Sequence, residues 1–333
     1  MAVQYPKPTM QQIAQAAGVS QAAVSMALRN HARISKATCK RIQGIAKEMG
    51  YRPDPLISTL MAQRRTRSAT STQVCLAIIS LWPERNEAWE NSEFYKPYRE
   101  GIEQRAEALS YRTEIYPCDG SAKEVSCLLR ILNVRGIQGI IFCQAHESIT
   151  TIPFPLDSFA SVLIGPGIRE PNISRVDSAL DYDIHLAWQR LLDAGRKRIG
   201  LVTHSIFTHK TRGAAMGTFL NLQRRLAIKD SLAPLELGQA DDLQSISEWI
   251  QATRPDAILT ERADIAEELS RTYPQLDVVC FALSDGQTGR GIRVERKEIG
   301  MTAVDIVVTQ LNQGERGIPA VPKRLLIEGH WQD

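Results

Sequence analysis

No stretch of the 333 residues approaches the ~20 consecutive apolar positions that a membrane-spanning helix needs, and the N-terminus carries no apolar signal core. A cytoplasmic protein without a membrane role is therefore expected. The six cysteines (Cys39, Cys75, Cys118, Cys127, Cys143, Cys280) form no C-x-x-C pair and show no zinc-ligand spacing with histidine. Cys75, Cys143 and Cys280 sit inside apolar runs, where a buried, inert thiol is expected. A phosphate-binding G-x-x-x-x-G-K-[ST] loop, a G-x-S-x-G elbow and an H-E-x-x-H pair are all missing. The glycines at Gly286, Gly289 and Gly291 lead into a strand-like Ile292-Arg293-Val294 rather than a helix, unlike a dinucleotide-binding turn. His204 and His209, near a strand end, read as isolated loop histidines, with polar pocket residues as the alternative. Neither catalysis, a metal nor a cofactor is indicated, and an enzyme is not expected.

Acidic residues are scarce at one end. Up to Arg67 there are eleven Lys and Arg but only Glu48 and Asp54 on the acidic side, a net charge of +9. The remainder carries twenty-nine basic and thirty-five acidic residues, a net −6. A basic head on a mildly acidic body suits a polyanion-binding module with a soluble regulatory body. The bland alternative is a solvated basic face without a partner. At 43% hydrophobic and 23% charged, the composition is that of an ordinary soluble protein with room for two or three domains.

The head reads as three short helices. Thr9 is an N-cap with Gln12 three residues on, and Ile13, Ala14 and Ala17 give one apolar face ending at Gly18. Ser20 caps a second helix to Arg29, with Ala23, Val24, Ala27 and Leu28 inward and Gln21, Ala22, Ser25, Met26 and Arg29 nearer the outside. A third runs from Ser35 to Met49. Helix, glycine-bearing turn, helix is the outline of a helix-turn-helix, whose second helix enters the DNA major groove. Asp54-Pro55 then opens a possible fourth helix, Leu56 to Ala62, too short to be stable alone. Arg64 to Thr72 reads as a linker.

Residues 9 to 67 resemble the head of the lactose-repressor (LacI/GalR) family of bacterial transcription regulators. The carrying residues are Thr9, Ile13-Ala14, Ala16 to Ser20, Ala23-Val24-Ser25, Leu28, Ile34-Ser35, Thr38 and Gly50 to Asp54. The resemblance implies base reading by Gln21, Ala22 and Met26, and phosphate contacts by Thr9, Ser20, Ser25, Arg29, Arg33 and Thr38. It also implies that Leu56 to Ala62 is a hinge helix, ordered on DNA by pairing with its dimer mate. Leu60 would then wedge into the central minor-groove step; an ordinary packing leucine is the alternative. Gln can bond adenine bidentately, while Ala and Met pack on thymine methyls. Met26 stands where many members carry Arg, so a less guanine-dependent half-site is expected, unless Met26 is simply a core residue.

From Val74 short apolar runs alternate with helical stretches, implying an α/β body of parallel sheets with right-handed crossovers. Two doubly wound subdomains facing a cleft are expected, with ligands at the carboxyl ends of the strands. The body resembles, more loosely, the periplasmic-binding-protein-like effector domain of the same family. That likeness rests on Phe94-Tyr95 before Gly101-Ile102, Arg175-Val176-Asp177, Arg198 to Val202, and Glu298-Ile299-Gly300 to Gly317-Ile318-Pro319. The domains are accordingly placed at 1–53 (head), 54–72 (hinge helix and linker) and 73–333 (effector binding and dimerisation). Within the last, 73–176 plus 295–315 form an N-subdomain and 177–294 plus 316–333 a C-subdomain.

By resemblance Arg212 is the ligand-clamping arginine. Arg262-Ala263 and Ala282 stand where acidic and amide groups usually hold sugar hydroxyls, so two arginines in one cleft favour an anionic effector over a standard sugar. Salt-bridged surface arginines are the alternative. Trp82, Trp89, Phe94 and Tyr95 are candidates to stack on a ligand or simply to pack under a loop. The expected protein is a homodimeric, sequence-specific transcriptional regulator, a repressor in the first instance, on a near-palindromic duplex operator. Its effector would be a sugar-like or anionic small molecule. The alternative is a cytoplasmic small-molecule-binding protein, or an enzyme, of periplasmic-binding-protein-like fold without a DNA function.

Overall fold

The computed structural model describes residues 9–28, 34–49, 51, 74–82, 94–224, 231–238 and 243–333. The expected hinge helix with Leu60, the linker, Arg29, Arg33 and Trp89 lie outside the described residues, as does the side chain of Ala22. The chain divides into two units, Met1–Val74 with Thr309–Glu315, and Cys75–Val308 with Arg316–Asp333.

In the first unit the local capping chemistry writes the three helices. Helix α1 (Met10–Ala17) opens with a capping box in which the Thr9 hydroxyl accepts from the Gln12 N–H and the Gln12 side chain accepts from the Thr9 N–H. Gly18 closes it in the left-handed region at φ 64°, a conformation cheap only for glycine. Two residues later Ser20 caps α2 (Gln21–Ala27), its hydroxyl accepting from the Ala23 N–H at 3.1 Å. Ser35 caps α3 (Lys36–Glu48) in the same way. Ile13, Ala17, Val24, Ala27, Cys39 and Ile42 bury together between them.

The second unit holds two six-stranded sheets. The first contains β1 (Val74–Leu81), β2 (Tyr111–Cys118), β3 (Gly139–Phe142), β4 (Ala160–Ile164), β5 (Arg175–Ser178) and β11 (Arg324–Ile327), in the order β11-β5-β4-β3-β1-β2. The second contains β6 (Ile199–His204), β7 (Leu235–Leu237), β8 (Ala257–Thr260), β9 (Asp277–Leu283), β10 (Gly291–Arg293) and β12 (His330–Gln332), in the order β12-β10-β9-β8-β6-β7. From β1 through β3, β4 and β5 to β11, and from β7 through β6, β8 and β9 to β10, neighbours pair parallel. Strand β12 pairs antiparallel to β10. Parallel neighbours need long crossovers, and these are supplied by α4 (Lys96–Ala108), α5 (Ala122–Val134), α6 (Leu180–Asp193), α7 (Ser205–Lys210), α8 (Ala214–Gln223), α9 (Leu243–Thr253), α10 (Ala263–Thr272) and α11 (Arg296–Gln313).

Close approaches are bought with glycine. A Cβ on Gly101 of α4 would lie 2.0 Å from the Lys297 carbonyl oxygen, and one on Gly300 of α11 would lie 2.3 Å from that of Tyr98. Those two helices therefore cross at backbone contact, which packs α11 on the first lobe.

The last crossover corrects the expected boundary. Residues 316–333 were expected in the second subdomain, but Arg324–Ile327 runs in register with Arg175–Ser178 of the first sheet. The outer edge of β5 needs that partner: the Arg175 and Ala179 N–H groups donate to the carbonyls of Lys323 and Ile327, both at 2.8 Å. The chain passes to the second sheet only at Glu328 and Gly329, before β12.

Candidate nucleic-acid interface and small-molecule cavity

The outward residues of the head lie on α2 and its flanks. Gln21 and Ser20 are exposed, while Ser25, Met26 and Thr38 are half-buried. Three of the expected phosphate contacts already hold the fold: the hydroxyls of Thr9 and Ser20 cap helices, and that of Thr38 lies 2.8 Å from Ser35 Oγ. The apolar side chains packed on the head core include Met10, Val19, Leu28, Ile34 and Met49; Met26 is not one of them among the described residues.

Two residues of α3 position these helices, and the sequence reading missed both roles. Gln43 Nε2 donates to the carbonyl of Ala27 at 3.0 Å, and Arg41 Nη1 donates to that of Ala17 at 3.0 Å. The last carbonyls of a helix have no partner of their own, and a cation there also meets the negative end of the helix dipole. The α2 axis is thus held from its C-terminal end, leaving its first turn on the surface. Gln11, Gln15, Ser20 and Gln21 line a shallow groove between α1 and that turn.

In the second unit a cavity of about 200 Å³ opens between the lobes. Arg175, Lys323 and Arg324 reach it from the first sheet, Lys210 and Arg212 from the segment after β6. Arg175 is buried, and its guanidinium donates to the carbonyls of Gly165, Pro166 and Ile168. Burial and then the neighbouring Arg324 lower its pKa; Arg212 adds to this, against the opposing Asp177. Arg324 Nη2 pairs with Asp177 Oδ2 at 2.7 Å, while burial holds the Asp177 carboxyl above its ordinary range. Burial also lowers the Lys210 pKa. Arg212 sits in the left-handed region at φ 55°.

The other expected ligand residues lie elsewhere. Arg262 does not line that cavity; its guanidinium is paired with Asp264 at the start of α10. Trp82 makes edge contacts with Tyr95 and His146 at centroid distances of 6.1 and 5.1 Å, and Phe94 with Tyr95 at 5.0 Å. Arg296 lies 4.5 Å over the Phe94 ring and donates to the carbonyls of Leu283 and Ala282. Phe94 therefore packs on a buried arginine, and Trp82 and Tyr95 pack in turn beside it. Trp82 Nε1 is buried with no acceptor among the described residues. His204 and Glu261 form a further buried pair at 3.1 Å.

Five of the six thiols are buried, and Cys127 is exposed. Burial raises the pKa of Cys75 and Cys143 and pushes Cys280 up to about 12. Cys118, Asp119 and Glu124 come together, but both carboxylates are engaged in the cap of α5, accepting from the N–H groups of Ser121 and Asp119. No described helix is long and apolar enough to cross a membrane.

Residues 9–54 match the family model described as bacterial regulatory proteins, lacI family. The HTH-type transcriptional regulator MalR of Streptococcus pneumoniae serotype 4 is 25% identical over 207 residues, 61% of this chain and 60% of that protein. The HTH-type transcriptional repressor CytR of Escherichia coli K12 is 26% identical over 204 residues, 58% of this chain and 53% of its own length. These matches thus span 60% or less of each relative. Among solved structures, the lac repressor dimer bound to operator and the anti-inducer ONPF aligns over 98% of both chains at 16% identity and a TM-score of 0.55. The transcriptional regulator CelR–cellobiose complex aligns over 98% of this chain and 99% of its own at 17% identity and 0.53. Both share the two-lobed fold.

Proposed function

We propose that this chain, whose residues 9–54 match the family model of lacI-family bacterial regulatory proteins, is a sequence-specific DNA-binding transcriptional regulator controlled by a small molecule between its lobes. The observation that carries the reading is the mounting of α2: Gln43 holds its last turn while Gln21 and the first turn stay outside. A helix presented in that way, on a basic head, suits major-groove insertion. The protein acts as a homodimer on a near-palindromic site in the cytoplasm, with repression the first expectation from relatives such as the repressor CytR.

Control follows from linkage. A ligand that touches both lobes favours one lobe spacing, and the same equilibrium sets the spacing of the two heads in the dimer. The ligand class is sugar-like or anionic; one fold relative was solved with cellobiose.

The test is selection of duplex fragments with purified full-length protein, followed by titration of the selected site at several salt concentrations. Two-fold related half-sites, and an affinity whose logarithm falls linearly with that of salt, are expected. Failure to enrich any sequence would overturn the reading.

A further inference from the structure

The cavity between the lobes carries more positive charge than its fold requires. Of its five cations, Arg175 is committed to three loop carbonyls and Arg324 to Asp177. The side chains of Lys210, Arg212 and Lys323 have no hydrogen bond or ion pair among the described residues. We propose that this cavity binds a small phosphomonoester whose phosphate is held by Lys210, Arg212 and Lys323. This deepens the effector reading above and rests on it for the regulatory consequence; the binding itself needs no DNA.

Charge is the first argument. A neutral sugar can accept hydrogen bonds from these cations but offers no charge to match theirs, and the acidic group on the first-lobe side, Asp177, is buried and already paired with Arg324. Lys210 is the telling member: burial lowers its pKa, the charge of Glu147 opposes this only in part, and no carboxylate makes an ion pair with it among the described residues. A bound dianion removes that penalty.

Direction is the second. Lys210 and Arg212 come from the second lobe and Lys323 from the strand edge of the first. A planar carboxylate is best met by one arginine fork in its plane, whereas a phosphate presents three oxygens to donors arriving from several sides. Lysines, as point charges, suit it. The Arg212 and Gly213 N–H groups are already spent on the carbonyls of His209 and Thr208, so side chains must do the holding.

Size is the third. About 200 Å³ is below the ~300–1,000 Å³ usual for drug-sized guests, so the carbon skeleton is short. Asn172 and Thr211 line the same space and supply neutral hydrogen bonds for its hydroxyls. Because the cations belong to both lobes, the ligand favours the spacing in which they face each other.

Calorimetric titration of the full chain without DNA tests this, using glycerol phosphate, inorganic phosphate, succinate and glucose at matched ionic strength. Saturable binding is expected, tightest for glycerol phosphate. Lys323→Gln and Arg212→Gln should each weaken it about tenfold, the scale of one charge-assisted contact, while Lys323→Arg retains it. A melting temperature for each variant confirms folding. Succinate binding ahead of glycerol phosphate would overturn the phosphate assignment; glucose binding unaffected by the variants, or no saturable heat with any probe, would overturn the site. A chain that binds glycerol phosphate but enriches no DNA sequence would refute the regulator reading and leave the site standing.

Discussion

Gln43 Nε2 lies 3.0 Å from the carbonyl oxygen of Ala27, so one amide of the third helix terminates the second. Gln43→Ala removes a partly buried hydrogen bond and should cost the head about 1 kcal/mol. Gln43→Glu should cost more, because it turns an acceptor toward a carbonyl that needs a donor. Both variants should lose DNA affinity across all sequences alike, since they tilt the reading helix without changing its face. Anisotropy titrations against selected and scrambled duplexes measure this; a Gln43→Glu protein that binds as well as the parent would sink it.

Met26 lies on the helix that Gln43 holds, half-buried and not among the described residues of the head core cluster. It can pack on a thymine methyl but cannot bond guanine. Selected sites should therefore show no obligatory guanine at the base pair opposite. Met26→Arg should create that preference, with a discrimination of roughly 1–3 kcal/mol for a good bidentate pair. An obligatory guanine with the parent protein would contradict the placement.

The head was legible because its signals are local. Thr9, Ser20 and Ser35 each cap the helix that follows them, and Gly18 takes the left-handed turn between two of them. The strands Val74–Leu81 and Ala257–Thr260 were equally clear as mostly apolar runs, broken only by Ser80 and Thr260. By contrast, Arg324–Ile327 escaped notice as a strand of the first sheet, because it is an edge strand whose Leu325 and Leu326 stay exposed. Nothing in its own pattern says which sheet it joins; that is decided by the free edge of β5. The cationic cavity was hidden for the same reason. Arg175, Lys210 and Lys323 are far apart in the chain, and only folding brings them to one space. The resemblance pointed to Arg212 but also to Arg262, which a neighbour two residues away, Asp264, has engaged.

Gly101 and Gly300 show how a resemblance can carry physics without stating it. Both belong to the motifs that carry the resemblance of this body to the LacI/GalR effector domain, and each admits the backbone of the other's helix. Gly300→Ala places a methyl 2.3 Å from the Tyr98 carbonyl oxygen, and should destabilise the second unit by about 3 kcal/mol or more. Gly44→Ala is the opposite case. A Cβ on Gly44 meets nothing within 4 Å inside α3, so the substitution should stabilise the head by roughly 0.5–1 kcal/mol. Thermal unfolding of the two variants should therefore move in opposite directions, and a harmless Gly300→Ala would refute the backbone contact.

Asp183 gives the body a pH dependence. It is fully buried near the start of α6, where Oδ1 accepts from the Gly329 N–H at 2.8 Å and Oδ2 has no partner among the described residues. Burial raises its pKa to about 7, against the Gly329 hydrogen bond and with help from Asp181 and Glu328. The folded state thus keeps a proton that the unfolded chain releases near the ordinary aspartate value of about 4. The stabilisation linked to that proton is complete below about pH 4, falls as pH rises by at most about 1.4 kcal/mol per unit, and is gone above about pH 7. Asp183→Asn cannot ionise, and its side-chain oxygen can still accept from Gly329. Relative to the parent, the variant should therefore gain in melting temperature as pH moves from 5 to 8. Parallel melting profiles across that range would show that Asp183 does not hold a proton in the folded chain.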